Sequence, residues 1–144
     1  MDFLTEEEVI LIGLDDPIKI ISEIMGNRIQ RYDKMREIIC SFNVARVAYW
    51  YAQNVDKGPN DLTRKVCCIE GFWAYQYALN VDHTARNDTR TASCELPWTA
   101  FRYAENVDRR PTNETREASN GSGWNRDYQE WEAIYWFNLK VPNR

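Results

Sequence analysis

Residues 43–120 are one unit written three times, and that repetition constrains the chain more than any other feature. With the copies started at Asn43, Ile69 and Glu95 the period is 26 residues, and eight positions are identical in all three. They are Ala48/Ala74/Ala100, Tyr51/Tyr77/Tyr103, Ala52/Ala78/Ala104, Asn54/Asn80/Asn106, Val55/Val81/Val107, Asp56/Asp82/Asp108, Thr63/Thr89/Thr115 and Arg64/Arg90/Arg116. A fixed period of this length is the signature of repeat architectures, in which each unit buries its apolar face only against its neighbours.

Within a copy, Ala48, Tyr51, Ala52 and Val55 sit at i, i+3, i+4 and i+7, one face of a helix. The two alanines let a neighbouring backbone come close. This first helix is expected over 45–54, 71–80 and 97–106, with Pro97 tolerated in the first turn. A loop follows Asp56, and a short second helix starts from Asp61, Asn87 and Asn113, which are good N-cap types. The expected fold class is all-α: a short solenoid of three αα-hairpin repeats with helical caps at both ends. The chain then divides into an N-terminal cap (1–42), three repeats (43–120) and a C-terminal capping helix (121–144), all in one domain.

The cap segments support this division. Thr5-Glu6-Glu7-Glu8 reads as a capping box opening a helix that should end at Gly13 in a left-handed cap. Asp16-Pro17 starts a second helix, which Gly26-Asn27 stops, and a third runs over 28–41. Arg36 through Cys40 echoes Arg64 through Cys68, as a degenerate first repeat would. Gly121 and Gly123 mark a flexible joint before an aromatic-rich helix over 126–138, and residues 141–144 should fray.

Function classes narrow by exclusion. Net charge is −4, which does not suit a polyanion-binding surface, so nucleic acid is an unlikely partner and a nucleic-acid-binding helical repeat is the second reading. No apolar run approaches the ~18 residues of a membrane span, and no basic-then-apolar leader opens the chain, so a cytoplasmic protein with reduced cysteines is expected. One His and adjacent Cys67-Cys68 give no metal-ligand spacing. No nucleophile elbow or phosphate loop is present. No cofactor, no metal and no enzymatic activity are expected.

Two sets of polar positions remain. The shared Asp56, Asp82 and Asp108 with Arg64, Arg90 and Arg116 are read as repeat-stacking pairs, since a residue kept in every copy is usually what lets copies stack. The positions that differ are where specificity is sought: Trp50, Gln76 and Arg102 in one row, Lys57, His83 and Arg109 in another, and Lys65, Thr91 and Glu117 in a third. The first two rows, basic to aromatic, are the candidates for partner binding.

Tyr51-Ala52-x-x-Val55-Asp56-Lys57-Gly58-Pro59 resembles the short helical repeats (Tyr-Ala-x-x-Val-Ile-Lys-Gly-Arg in type) scattered through uncharacterised bacteriophage proteins. It departs from them at Asp56, where those repeats have an aliphatic residue, and at Thr63-Arg64, where they are acidic. The resemblance covers the three repeats and implies a phage-encoded protein acting in the bacterial cytoplasm. It carries no known active site, and implies a protein that binds, inhibits or modulates a host protein, including one of host defence.

Overall fold

The computed structural model describes residues 2–120 and 123–140. Every regular element among them is helical. The Gly121-Ser122 part of the expected joint and the tail at 141–144 lie outside the described residues.

Helix α1 (Glu6–Asp15) opens with the expected capping box: the Glu8 amide donates to Thr5 Oγ1, and the Thr5 amide to Glu8 Oε1. It does not end at Gly13. Gly13 is a buried helical residue whose missing Cβ leaves room for the Phe42 ring, and a methyl there would stand 2.0 Å from that ring. Helix α2 (Lys19–Met25) follows a turn in which Asp16 Oδ1 accepts from the Ile18 amide. The turn after it reverses at Asn27, in the left-handed region at φ 58°. Helix α3 (Asp33–Ser41) is therefore shorter than the expected 28–41.

Each repeat then contributes a hairpin: α4 (Ala45–Tyr51) with α5 (Asp61–Cys67), α6 (Gly71–Tyr77) with α7 (Asn87–Ser93), and α8 (Pro97–Tyr103) with α9 (Asn113–Ser119). First helices pack on first helices in chain order, α4 on α6 and α6 on α8. Helix α10 (Trp124–Lys140) covers α8 and α9, two residues earlier and later than expected at its ends.

The first helices run past their expected ends. Their last five residues, Ala52–Asp56, Ala78–Asp82 and Ala104–Asp108, form a π-helical turn, wider than an α turn. The turn closes in a left-handed residue, with φ of 54° at Lys57, 55° at His83 and 56° at Arg109. In the first copy, the Lys57 and Gly58 amides both return to the Ala52 carbonyl, satisfying that helix end.

The second helices start one residue earlier than the side chains suggest. The N-caps are Asn60, Arg86 and Thr112, not Asp61, Asn87 and Asn113. Those three occupy the first helical position, where each accepts from the terminal amine of the Arg three residues on: Asp61 from Arg64, Asn87 from Arg90 and Asn113 from Arg116. A cap-type residue is thus used to hold an arginine in place.

Candidate interaction face

The shared residues lie mainly at the seams between copies or between a copy and a cap; Asn54 is the exception, donating to the Trp50 carbonyl of its own helix. Ala48, Ala74 and Ala100 and Ala52, Ala78 and Ala104 are fully buried, which brings neighbouring first helices into close approach. At the seam between copies one and two, three polar links cross. Tyr77 Oη accepts from the Asn60 amide at 2.9 Å and lies 2.8 Å from Thr63 Oγ1. Arg64 Nε donates to Asp82 Oδ2 at 3.0 Å, while its Nη2 donates to the other oxygen at 2.6 Å. Asn80 Nδ2 donates to Tyr49 Oη at 3.0 Å.

The next seam repeats all three: Tyr103 with the Arg86 amide and Thr89, Arg90 with Asp108, and Asn106 with Tyr75. Each arginine also lies over the tyrosine ring of the next copy, at 5.6 Å for Arg64 and 5.8 Å for Arg90. The carboxylates are removed from water, with side-chain exposure of 2% for Asp82 and 1% for Asp108. The arginines of these pairs are held still more firmly protonated than usual by the bond to the next copy's aspartate. Burial pushes the hydroxyls of Tyr77 and Tyr103 upward, so they remain neutral and able to bridge.

Both ends reproduce the seam with substitutes. At the N-terminal end Arg36 takes Asp56 through Nε and Nη2, each at 2.8 Å, which makes α3 the degenerate second helix that its sequence suggests. Met35 stands where later copies have threonine. The buried Tyr51 hydroxyl then lacks a hydrogen-bond partner, and burial pushes it up to about 12. At the C-terminal end Tyr128 of α10 meets Thr115 at 2.7 Å, and Glu132 replaces the aspartate as the acceptor for Arg116. Phe101 occupies the position of Tyr49 and Tyr75 where no fourth asparagine follows, and packs on Trp124, Tyr128 and Trp131 instead.

With those residues used up in stacking, the positions that differ divide between two outer surfaces, and the Lys65, Thr91 and Glu117 row lies on the second helices. The outer face of the first-helix layer carries four residues per copy at i, i+4, i+7 and i+11. They are Arg46, Trp50, Gln53 and Lys57; then Phe72, Gln76, Leu79 and His83; then Trp98, Arg102, Glu105 and Arg109. All twelve are exposed or half-buried. Rings link along and across this face, Trp50 to Tyr49 to Trp73 to Phe72 to Trp98, with centroids 4.9–5.9 Å apart.

The proposed partner-binding residues differ in how free they are. Lys57, His83 and Arg109 are exposed. Gln76 accepts from Asn80, and Arg102 pairs with Glu105 while lying over the Phe101 and Trp124 rings. Trp50 packs on the N-terminal core and on the first seam as well as showing a partly exposed edge, so it has a structural duty as well. Sequence reasoning missed Arg46, Phe72 and Trp98. Their alignment one turn before the Trp50 row was the available signal.

The second-helix layer presents a different surface. Its exposed positions mix acidic residues (Asp61, Asp88, Glu114 and Glu117) with Asn87, Asn113, Thr91, Lys65 and Leu62, and no aromatic ring is exposed there. The thiols are structural. Cys67 donates to the Ala45 carbonyl at 3.6 Å, and burial pushes Cys40 up to about 12 and Cys68 up to about 11. No group of three or more His, Cys, Asp or Glu among the described residues is placed to hold a metal ion, and no described helix is long and apolar enough to cross a membrane. Comparison with protein-family models, characterised proteins and solved structures gives no match.

Proposed function

We propose that the chain is a protein-binding helical-repeat module whose first-helix face takes the partner, acting as an inhibitor or modulator and not as an enzyme. One observation carries this reading: the identical positions are largely spent at the seams, and the first helices carry four differing positions per copy on one continuous exposed or half-buried face that is rich in aromatic and basic residues. A stack held by constant residues and varied on one surface is how helical repeats present a binding site. The composition fits a protein surface, since Trp, Tyr and Arg dominate interface hot spots, and this face offers Trp98, Trp50, Phe72, Arg46 and Arg102. Its basic residues suit a partner with an acidic or mixed patch. The resemblance to bacteriophage repeats points to a host protein in the bacterial cytoplasm.

The test is affinity capture from nuclease-treated bacterial lysate, comparing the parent with a Trp98→Ala/Arg102→Ala variant of matched folding by circular dichroism. Recovery of one protein by the parent and its loss with the variant is expected. Equal recovery by both would place binding elsewhere, and recovery abolished by nuclease would favour a nucleic-acid partner.

A further inference from the structure

Resting on that reading, we infer that the left-handed row Lys57, His83 and Arg109 receives an acidic extended segment of the partner, with carboxylates at every third residue of a polyproline II strand. These residues close the three π-helical turns with φ between 54° and 56°. A left-handed residue with a Cβ is sterically disfavoured, and Gly or Asn would meet the geometry more easily. All three copies place a long or ring-bearing nitrogenous side chain there instead. Strained backbone held in this way is found at ligand clamps. A cation beside a helix C-terminus also complements the helix dipole. That attraction favours basic residues here, but leaves their exposed side chains unoccupied.

The row borders built recesses. A cavity of about 420 Å³ between copies one and two is lined by Gln53, Lys57, Pro59, Asn80 and His83. One of about 270 Å³ between copies two and three is lined by Leu79, His83, Thr84, Asn106 and Arg109. Each recess thus has two of the three nitrogenous side chains at its edge. Each also contains an asparagine whose amide is oriented by the tyrosine across the seam.

Spacing selects the occupant. Packed helices lie about 8–10 Å apart. A polyproline II strand repeats every three residues at about 3.1 Å per residue, so residues i, i+3 and i+6 face one side roughly 9 Å apart. A β-strand brings same-side residues back at about 6.6 Å or 13 Å, out of step with the copies. Carboxylates at i and i+6 would meet Lys57 and Arg109, and the one at i+3 would meet the His83 ring. A nucleic-acid strand is disfavoured by the net charge of −4 and by Glu105 beside Arg109 on this face.

The experiment is fluorescence anisotropy with three labelled peptides of equal charge. Each carries three Glu, at every second, third or fourth residue of a proline-rich backbone, and a short single-stranded oligonucleotide is measured beside them. The every-third peptide should bind at least tenfold tighter than the other two. Lys57→Asn/Arg109→Asn, which keeps residues suited to the left-handed turn, should remove that preference while leaving the urea midpoint unchanged. Equal binding of all spacings, no binding of any peptide, or tighter binding of the oligonucleotide would overturn the inference. Loss of lysate capture in Trp98→Ala/Arg102→Ala with no spacing preference would leave the binding face standing and remove this occupant alone.

Discussion

The N-terminal seam and the two seams between copies use the same plan with different materials. Between copies two and three apolar contact is thin, with Tyr75, Ala78 and Tyr103 flanked by Leu79, Ala85 and Val107, and polar links do much of the joining. The seam between copies one and two adds Tyr49, Val66, Cys67 and Val81 to the same polar links. At the N-terminal end the cluster is large and aliphatic, with Leu4, Val9, Ile20, Ile24, Ile29, Met35, Ile38, Ile39 and Val47 around Tyr51. There the threonine is gone and the tyrosine hydroxyl is left without a partner. Where burial is ample, a missing hydrogen bond is tolerated; where helices meet through alanines, the hydrogen-bonded links set register and strength.

The largest expected effect comes from breaking a between-copy ion pair. Arg90→Ala leaves the Asp108 carboxylate buried without its cation, and removal of one partner of such a pair costs about 3–5 kcal/mol. Arg116→Ala should cost far less, because Glu132 at the C-terminal end is 18% exposed and its side chain can reach water. A urea melt of the two variants checks the ranking, and equal losses would contradict it.

A smaller effect separates the tyrosines. Tyr103→Phe orphans the Arg86 amide and the Thr89 hydroxyl contact, at a cost of about 1–3 kcal/mol. Tyr51→Phe removes a hydroxyl that has no hydrogen-bond partner, so its midpoint should match or exceed the parent's. A destabilised Tyr51→Phe protein would show that the N-terminal seam works like the others.

The smallest effect is a pH dependence at the C-terminal end. The hydrogen bond from Arg116 holds the Glu132 carboxyl below the usual glutamate range. Its stabilising contribution is therefore present above about pH 4.3, the unfolded value, and is lost as pH falls through the lower folded value. Hydrogen exchange should show α10 amides losing protection in that window, after correction for intrinsic rates. Unchanged protection would mean that the Arg116–Glu132 bond adds nothing to the docking of α10.

Much of this contrast was legible in the residues, because a seam repeated in space must be repeated in sequence. The Asp and Arg rows, the close-packed alanines and the echo at Arg36 all follow from that. What escaped has physical causes. Ala52, Asn54 and Val55 fit an α-helical period as well as a π turn, so side-chain spacing does not separate the two, although the wider turn recurs in all three copies. The N-caps were misplaced by one because Asn60, Arg86 and Thr112 differ in type, while Asp61, Asn87 and Asn113 look like caps and serve the arginines. Gly13 resembled a helix end, and its use is steric, against Phe42. The face itself could be traced only in part, through rows 50/76/102 and 57/83/109. Trp98 and Phe72 stood in a row with Arg46 that shares no chemistry.

The division between seam and face is tested most directly by a urea melt of a copy-swapped chain. Trp98→Phe, Arg102→Gln, Glu105→Leu and Arg109→His give the third copy the outer face of the second. If these positions serve binding and not stacking, four simultaneous changes should shift stability by no more than about 2 kcal/mol, at about 0.5 kcal/mol for each surface substitution. A loss matching that of Arg90→Ala would show that the varied face also holds the stack together, and would contradict the account.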